Sequence, residues 1–272
     1  MKKITIARNG IEAVILPDFG GMVAQLRIHG RNVLRMYYEK LGLSNVLAGG
    51  IPIMFPFAGR CRNEEAVFNG QTYPMPMHGF AKDLPFQTGA VNQSSCEVTL
   101  SSSAHTLHFY PFEFSLAVVY AIVDNAFRTT FRIQNLSGKR MPFALGTHPY
   151  FLTTDRAQTE FSFGLKEYDC YLEPVVQHGF LEGGLSLADK HDTVFWNGCP
   201  VCDLNNRADG YRLRMAGDES FKFVTICTWQ EAAACIEPWQ GRPDAPNHPD
   251  ECLWLDPMQT ADYTYDILLA DA

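Results

Sequence analysis

The run "AAACIEPWQ" (232–240) places a carboxylate, Glu237, at the edge of a segment apolar enough to be buried, with Pro238 and Trp239 directly after it. Burial lifts a glutamate above its ordinary pKa of about 4.3, which turns it into a base suited to work near neutral pH. Glu237 fits equally a strand-end acid paired with an arginine such as Arg242. His78 in "HGF" and His148 in "HPYF" each lie beside a residue that fixes the backbone. Pro149 pushes His148 out of the α region, and Gly79 lets the chain turn sharply after His78, so both imidazoles can be aimed. Both also fit structural histidines. Arg60 and Arg62 fall two apart in "GRCRN" and point the same way if that piece is extended. Such a pair can donate to hydroxyls, grip a phosphate, or form a solvated face. Trp239, Phe57, Phe80, Tyr150 and Phe151 offer apolar faces of the kind a sugar ring packs on, or simply core.

The remaining candidates point to structure. His105 and His108, three apart in "HTLHF", lie on opposite faces if that piece is a strand, which argues against a joint metal site. His29 sits in a turn, and His178, His191 and His248 lie in polar or Gly/Pro-containing surroundings. Cys199 and Cys202 form one C-x-x-C without the second pair of a zinc ribbon or the βαβ setting of a redox motif. The eight cysteines are scattered and read as free thiols. Nucleotide-binding loops, a serine-hydrolase elbow and the zincin motif have no match.

These residues need a scaffold, and the scaffold reads as β. Period-2 alternation recurs in "ITIARNGIEAVIL", "VAQLRIHGRNVLRMYY", "FEFSLAVVYAIVDNAFRTTFRIQNLS" and "YRLRMAGDESFKFVTICTW". Each is broken by a turn-former, at Asn9-Gly10, His29-Gly30, Asp124-Asn125 and Gly217-Asp218, and "VFNGQTYPM" adds Asn69-Gly70, so all five are predicted hairpins. The best helical candidate is a short piece at 104–109. Many short strands with Gly and Asn turns predict an all-β chain, a large antiparallel β-sandwich in one domain. The candidate residues lie on irregular segments between the strands, where sites are built. A net charge of −8 gives no reason to bind nucleic acid or anionic lipid. With neither a signal-peptide block nor a membrane-length apolar run, the expectation is a soluble cytoplasmic protein acting on a small molecule.

Four irregular segments, "GGIPIMFPFAGR", "HGFAK", "HPYF" and "EPWQGRPDAPN", together resemble the aldose 1-epimerase (mutarotase) family, in the family's order and across nearly the whole chain. The resemblance implies a galactose mutarotase-like supersandwich and a sugar substrate. It implies Glu237 as the base that takes the proton of the anomeric hydroxyl, and His148 as the acid that protonates the ring oxygen. His78 and Arg60 would hold the sugar, Trp239 would wall it, and Asp192 in "KHDTVF" stands where the family has a sugar-binding aspartate. The chemistry needs one base and one acid, with no metal and no cofactor. A nearby carboxylate is expected to keep the histidine protonated. The text "HGFAKD", "THPYFL" and "EPWQ" resembles a shorter bacterial branch of the family rather than the best-known galactose mutarotases. Lys82 and Arg62 keep open a hexose-6-phosphate 1-epimerase, and a sugar-binding protein without catalysis is the third alternative.

Overall fold

A computed structural model of the protein describes residues 1–43, 47–171, 176–196 and 201–270, with the side chains of Leu165 and Trp196 left aside. Cys199, half of the C-x-x-C, lies outside the described residues, while Cys202 is buried. No described helix is long and apolar enough to cross a membrane.

The architecture is an all-β antiparallel sandwich. A four-stranded sheet runs through Ile4–Arg8, Ile11–Leu16, Met22–Ile28 and Arg31–Asn32. A larger sheet of 15 described strands follows a path that begins at Ile53–Met54, Gly146–Thr147, Ala233–Trp239, Phe223–Cys227 and Asp192–Trp196. It ends at Thr260–Leu269, Ala126–Asn135, Phe114–Val123, Ser95–Ser101 and Gln87–Val91. Alternation decides what faces inward: along Phe114–Val123 every second residue is buried, beginning with Phe114, Leu116 and Val118. These side chains join one core with Ile4, Ile6 and Leu26 of the smaller sheet, and the Tyr120 hydroxyl donates to the Gly21 carbonyl at 2.8 Å.

Four predicted hairpins form, at Asn9-Gly10, His29-Gly30, Asn69-Gly70 and Asp124-Asn125, each with a left-handed residue at its first turn position. The fifth does not. Tyr211–Gly217 pairs with Val201–Asn206 and Thr260–Leu269, whereas Phe223–Cys227 pairs elsewhere, with Asp192–Trp196 and Ala233–Trp239. The reason is Asp218, whose carboxylate accepts from the amides of Ser220 and Thr264. That ties the chain to the Thr260–Leu269 strand instead of turning it back on itself. Residues Ala104–Phe109 form a helix with a Ser103 capping box. His105 and His108 therefore share a helix rather than lying on a strand, and each packs edge-on against Phe109.

Candidate active site

The Ala233–Trp239 strand is buried at all seven positions, so its polar residue is indoors on either face. Glu237 is paired across to Thr225, and Cys235 to Cys227. Residues two apart share a face, so Cys235, Glu237, Trp239, Thr225 and Cys227 look the same way. On its other edge this strand meets Gly146–Thr147 and Tyr150–Leu152, through Gly146 against Trp239 and Tyr150 against Cys235. Both pairings share one register, and that register sets His148 opposite Glu237. The His148 ring stacks on Tyr150 with centroids 4.7 Å apart. Its Nε2 comes within 3.2 Å of Glu237 Oε1.

Glu237 and His148 form the floor of a cleft of about 730 Å³ that is also lined by Arg60, Arg62, His78, Asp192, Thr225, Cys227, Trp229 and Trp239. Trp239 Nε1 donates to the other carboxylate oxygen of Glu237 at 3.2 Å, which orients the acid. Burial pushes the Glu237 carboxyl well above the usual carboxylate range, and the nearby Cys227 and Asp192 push the same way. Burial pushes His148 down to about 3. The expectation that a carboxylate neighbour keeps His148 protonated is thus reversed, because desolvation of both groups outweighs their attraction. The ion pair and the neutral pair hold the same single proton and differ only by its transfer along the Nε2–Oε1 contact.

His78 is held by a reciprocal pair of bonds. Its amide donates to the Gly59 carbonyl at 2.8 Å, and the Gly59 amide donates to His78 Nδ1 at 3.1 Å. Nδ1 is therefore the unprotonated nitrogen, and the N–H is on Nε2. Burial lowers the His78 pKa further, with the neighbouring His148 next in effect. The arrangement uses left-handed backbone at His78 (φ 64°) and Gly79 (φ 69°). A Cβ at Gly79 would meet the Phe55 carbonyl oxygen at 2.1 Å, so no other residue fits there.

Asp192 opens its strand opposite Cys227 and faces the cleft, its carboxyl raised by burial against a hydrogen bond from Trp229. Arg60 and Arg62 both line the rim, each engaged by an acid: Arg60 with Glu64 at 3.3 Å and Arg62 with Asp244 at 3.9 Å. Lys82 is not on the cleft. It lines an adjoining hollow of about 490 Å³ that shares His78, His148 and Cys227 with the cleft, and its ammonium is bonded to Asp83. Arg242 bonds Glu251 (3.1 Å from Nε) and approaches Asp169, so the strand-end pairing considered for Glu237 does not occur. Gln240 is turned away, donating to Ser220 at 2.8 Å. Phe57, Phe80 and Phe151 are core. Sequence reasoning missed Thr225, Cys227, Trp229 and Tyr171. The alternation of "TICTW" marks Thr225 and Cys227 as sharing a face, but nothing local says that this strand lies beside Glu237.

A buried carboxyl and a buried imidazole face one cleft on this antiparallel sandwich, and residues 2–260 fit the family model for aldose 1-epimerase. The chain belongs to the aldose 1-epimerase family. It is 28% identical over 222 residues to the plasmid-encoded LacX protein of Lactococcus lactis subsp. lactis, covering 71% of this chain and 74% of that protein. Over 181 residues it is 27% identical to a Salmonella typhimurium protein named for glucose-6-phosphate 1-epimerase activity, covering 58% and 53% respectively. The Slr1438 protein of Synechocystis sp. PCC 6803 superposes with a TM-score of 0.92 at 24% identity, over 100% of this chain and 96% of that one. At that identity the likeness is one of fold. For an aldose 1-epimerase family member the supersandwich is expected, and it explains why the cleft sits where short strands converge on Ala233–Trp239.

Proposed function

We propose that the protein is an aldose 1-epimerase that interconverts the α and β anomers of an aldohexose by general acid-base ring opening and closure. The observation that carries this reading is the buried contact of Glu237 Oε1 with His148 Nε2 at 3.2 Å. The anomeric hydroxyl O1 and the ring oxygen O5 are bonded to the same carbon, so a base for one and an acid for the other must be near neighbours. Glu237 takes the O1 proton as the C1–O5 bond breaks and C1=O1 forms, and His148 delivers a proton to O5. Rotation about C1–C2 presents the other carbonyl face, and closure returns both protons. The neutral Nε2–H of His78 donates to a sugar oxygen, Asp192 accepts from a hydroxyl, and Trp239 walls the ring. General acid-base catalysis of this kind contributes about 10²- to 10⁴-fold.

Arg60 and Arg62 at the rim, with the Salmonella relative, support a second reading in which the hexose carries a phosphate. Two-dimensional NMR exchange on glucose, galactose and glucose 6-phosphate tests both, without added metal or cofactor. Accelerated exchange of a free hexose supports the first reading, and acceleration confined to the phosphate ester replaces it by the second. Tight sugar binding with no exchange identifies a binding protein instead. The kcat/KM profile should be a broad bell. Its acid limb falls where the depressed His148 takes a second proton into the pair, and its alkaline limb where the raised Glu237 loses the last one.

A further inference from the structure

The acid-base reading uses Glu237 and His148 but not the two thiols beside them. Cys235 and Glu237 are two apart on one strand, hence on one face, and Cys227 stands directly opposite Cys235 on the neighbouring strand. One ligand atom each of His148, Cys235 and Glu237 lie within 4.8 Å of one another, and all three residues are buried. We propose that Cys227, Cys235, His148 and Glu237 bind a single zinc ion whose presence blocks the acid-base pair.

Two sulfurs, an imidazole nitrogen and a carboxylate oxygen are a donor set that suits zinc, and the site lies at the wall of an open cleft. A tetrahedral ion with bonds of about 2.0 to 2.3 Å holds its ligands roughly 3.3 to 3.8 Å apart, so His148, Cys235 and Glu237 need to close by about an ångström, and Cys227, which stands outside that cluster, has to turn its sulfur in to complete the set. Cys227 lines the cleft and offers the route of entry. The hydrogen bond from Trp239 to Glu237 Oε2 leaves Oε1 aimed inward, the kind of outer-shell support that metal-bound carboxylates have. Binding replaces the protons on the ligands, which leave to solvent, so affinity rises with pH. Oε1 and Nε2 are the atoms that face sugar O1 and O5, so ion and sugar exclude one another. Metal binding stands without the acid-base reading, whereas the inhibition rests on it.

The test titrates chelator-stripped, thiol-reduced full-length protein with Zn²⁺ by calorimetry and with Co²⁺ by absorption. The expected result is one ion per chain, with tetrahedral cobalt bands and thiolate-to-cobalt charge transfer. Cys227→Ser and Cys235→Ala should each weaken Zn²⁺ binding by more than about tenfold. Zinc should also suppress anomer exchange reversibly by chelator, and less so in each variant relative to that variant's own metal-free rate. Absence of a wild-type Zn²⁺ heat, a cobalt spectrum without thiolate character, or wild-type affinity in both variants would overturn the site. The cobalt spectrum of the wild type decides even if a variant fails to fold. Binding without any exchange activity would leave the site standing and remove the epimerase reading; activity that zinc does not touch would do the reverse.

Discussion

Two regions of the large sheet, a hairpin towards one end and the cleft strand towards the other, treat buried polar groups in opposite ways. In the hairpin of Phe114–Val123 and Ala126–Asn135 the alternation is unbroken, and buried Asn135 is fully engaged. Its amide donates to the carbonyls of Lys139, Leu255 and Asp256 at 2.7 to 3.1 Å, and its oxygen accepts from the Ser137 amide at 2.9 Å. Towards the other end, Ala233–Trp239 is buried on both faces, and around it His148 Nδ1 and Thr225 Oγ1 are buried with no hydrogen-bond partner among the described residues. An unsatisfied buried polar atom costs about 1 to 3 kcal/mol. The hairpin is arranged for stability, and the cleft holds its polar atoms in reserve for a ligand at stability's expense.

Replacing Glu237, the proposed base, should produce the largest effect and the sharpest separation of the two regions. Glu237→Gln keeps the side-chain volume and an oxygen for Trp239 but cannot accept a proton. Anomer exchange should fall by about 10²- to 10⁴-fold, with sugar binding retained within about tenfold. The thermal midpoint should not fall, because the variant removes a carboxyl that burial already disfavours as an anion. A Gln variant that still turns over would remove Glu237 from the base role, and one that melts early would make the cleft part of the scaffold.

The converse substitution lies in the hairpin. Phe131 is fully buried and packs against Phe221 with ring centroids 6.5 Å apart. Phe131→Ala should cost about 3 to 5 kcal/mol in urea unfolding, while the folded fraction keeps its specific activity. A loss of activity in fully folded protein would show that the hairpin sets the geometry of the cleft, and the contrast between the two regions would fail.

That contrast also separates what could be read from the sequence from what could not. The hairpins at Asn9-Gly10 and Asp124-Asn125 were legible because the turn chemistry and the flanking alternation are local. Gly217-Asp218 offers the same local signal, yet the Asp218 carboxylate is used by Thr264, a partner distant in sequence. Glu237, His78 and His148 stood out as polar residues in apolar or backbone-restricted text. Their meeting was not legible, because the register that sets His148 opposite Glu237 arises from strands far apart in the chain. Thr225 reaches the cleft by pairing with the very next strand, but the connecting residues 228–232 carry no Gly, Pro or Asn to signal a turn. The protonation of His148 was misjudged because depth of burial, which decides it, is a property of the folded molecule.

The smallest effect is expected where the ionic geometry looks best. Arg132 and Asp262 face each other across two strands of the stable region, with bonds of 2.9 Å from Nε and 2.8 Å from Nη2 to the two carboxylate oxygens. Hydrogen bonding raises the arginine pKa and lowers that of the aspartate. Both side chains are nonetheless wet, at 55% and 43% exposure, so solvent screens most of what the geometry offers. A double-mutant cycle with Arg132→Ala and Asp262→Ala should give a coupling of about 0.2 to 1 kcal/mol, and no change in anomer exchange. Raising the salt to about 1 M, where the Debye length is near 3 Å, should shrink it further. A coupling above about 2 kcal/mol that salt leaves intact would mean that this pair is effectively buried. Burial, not bond count, would then no longer distinguish the Arg132 pair from the single Glu237–His148 contact.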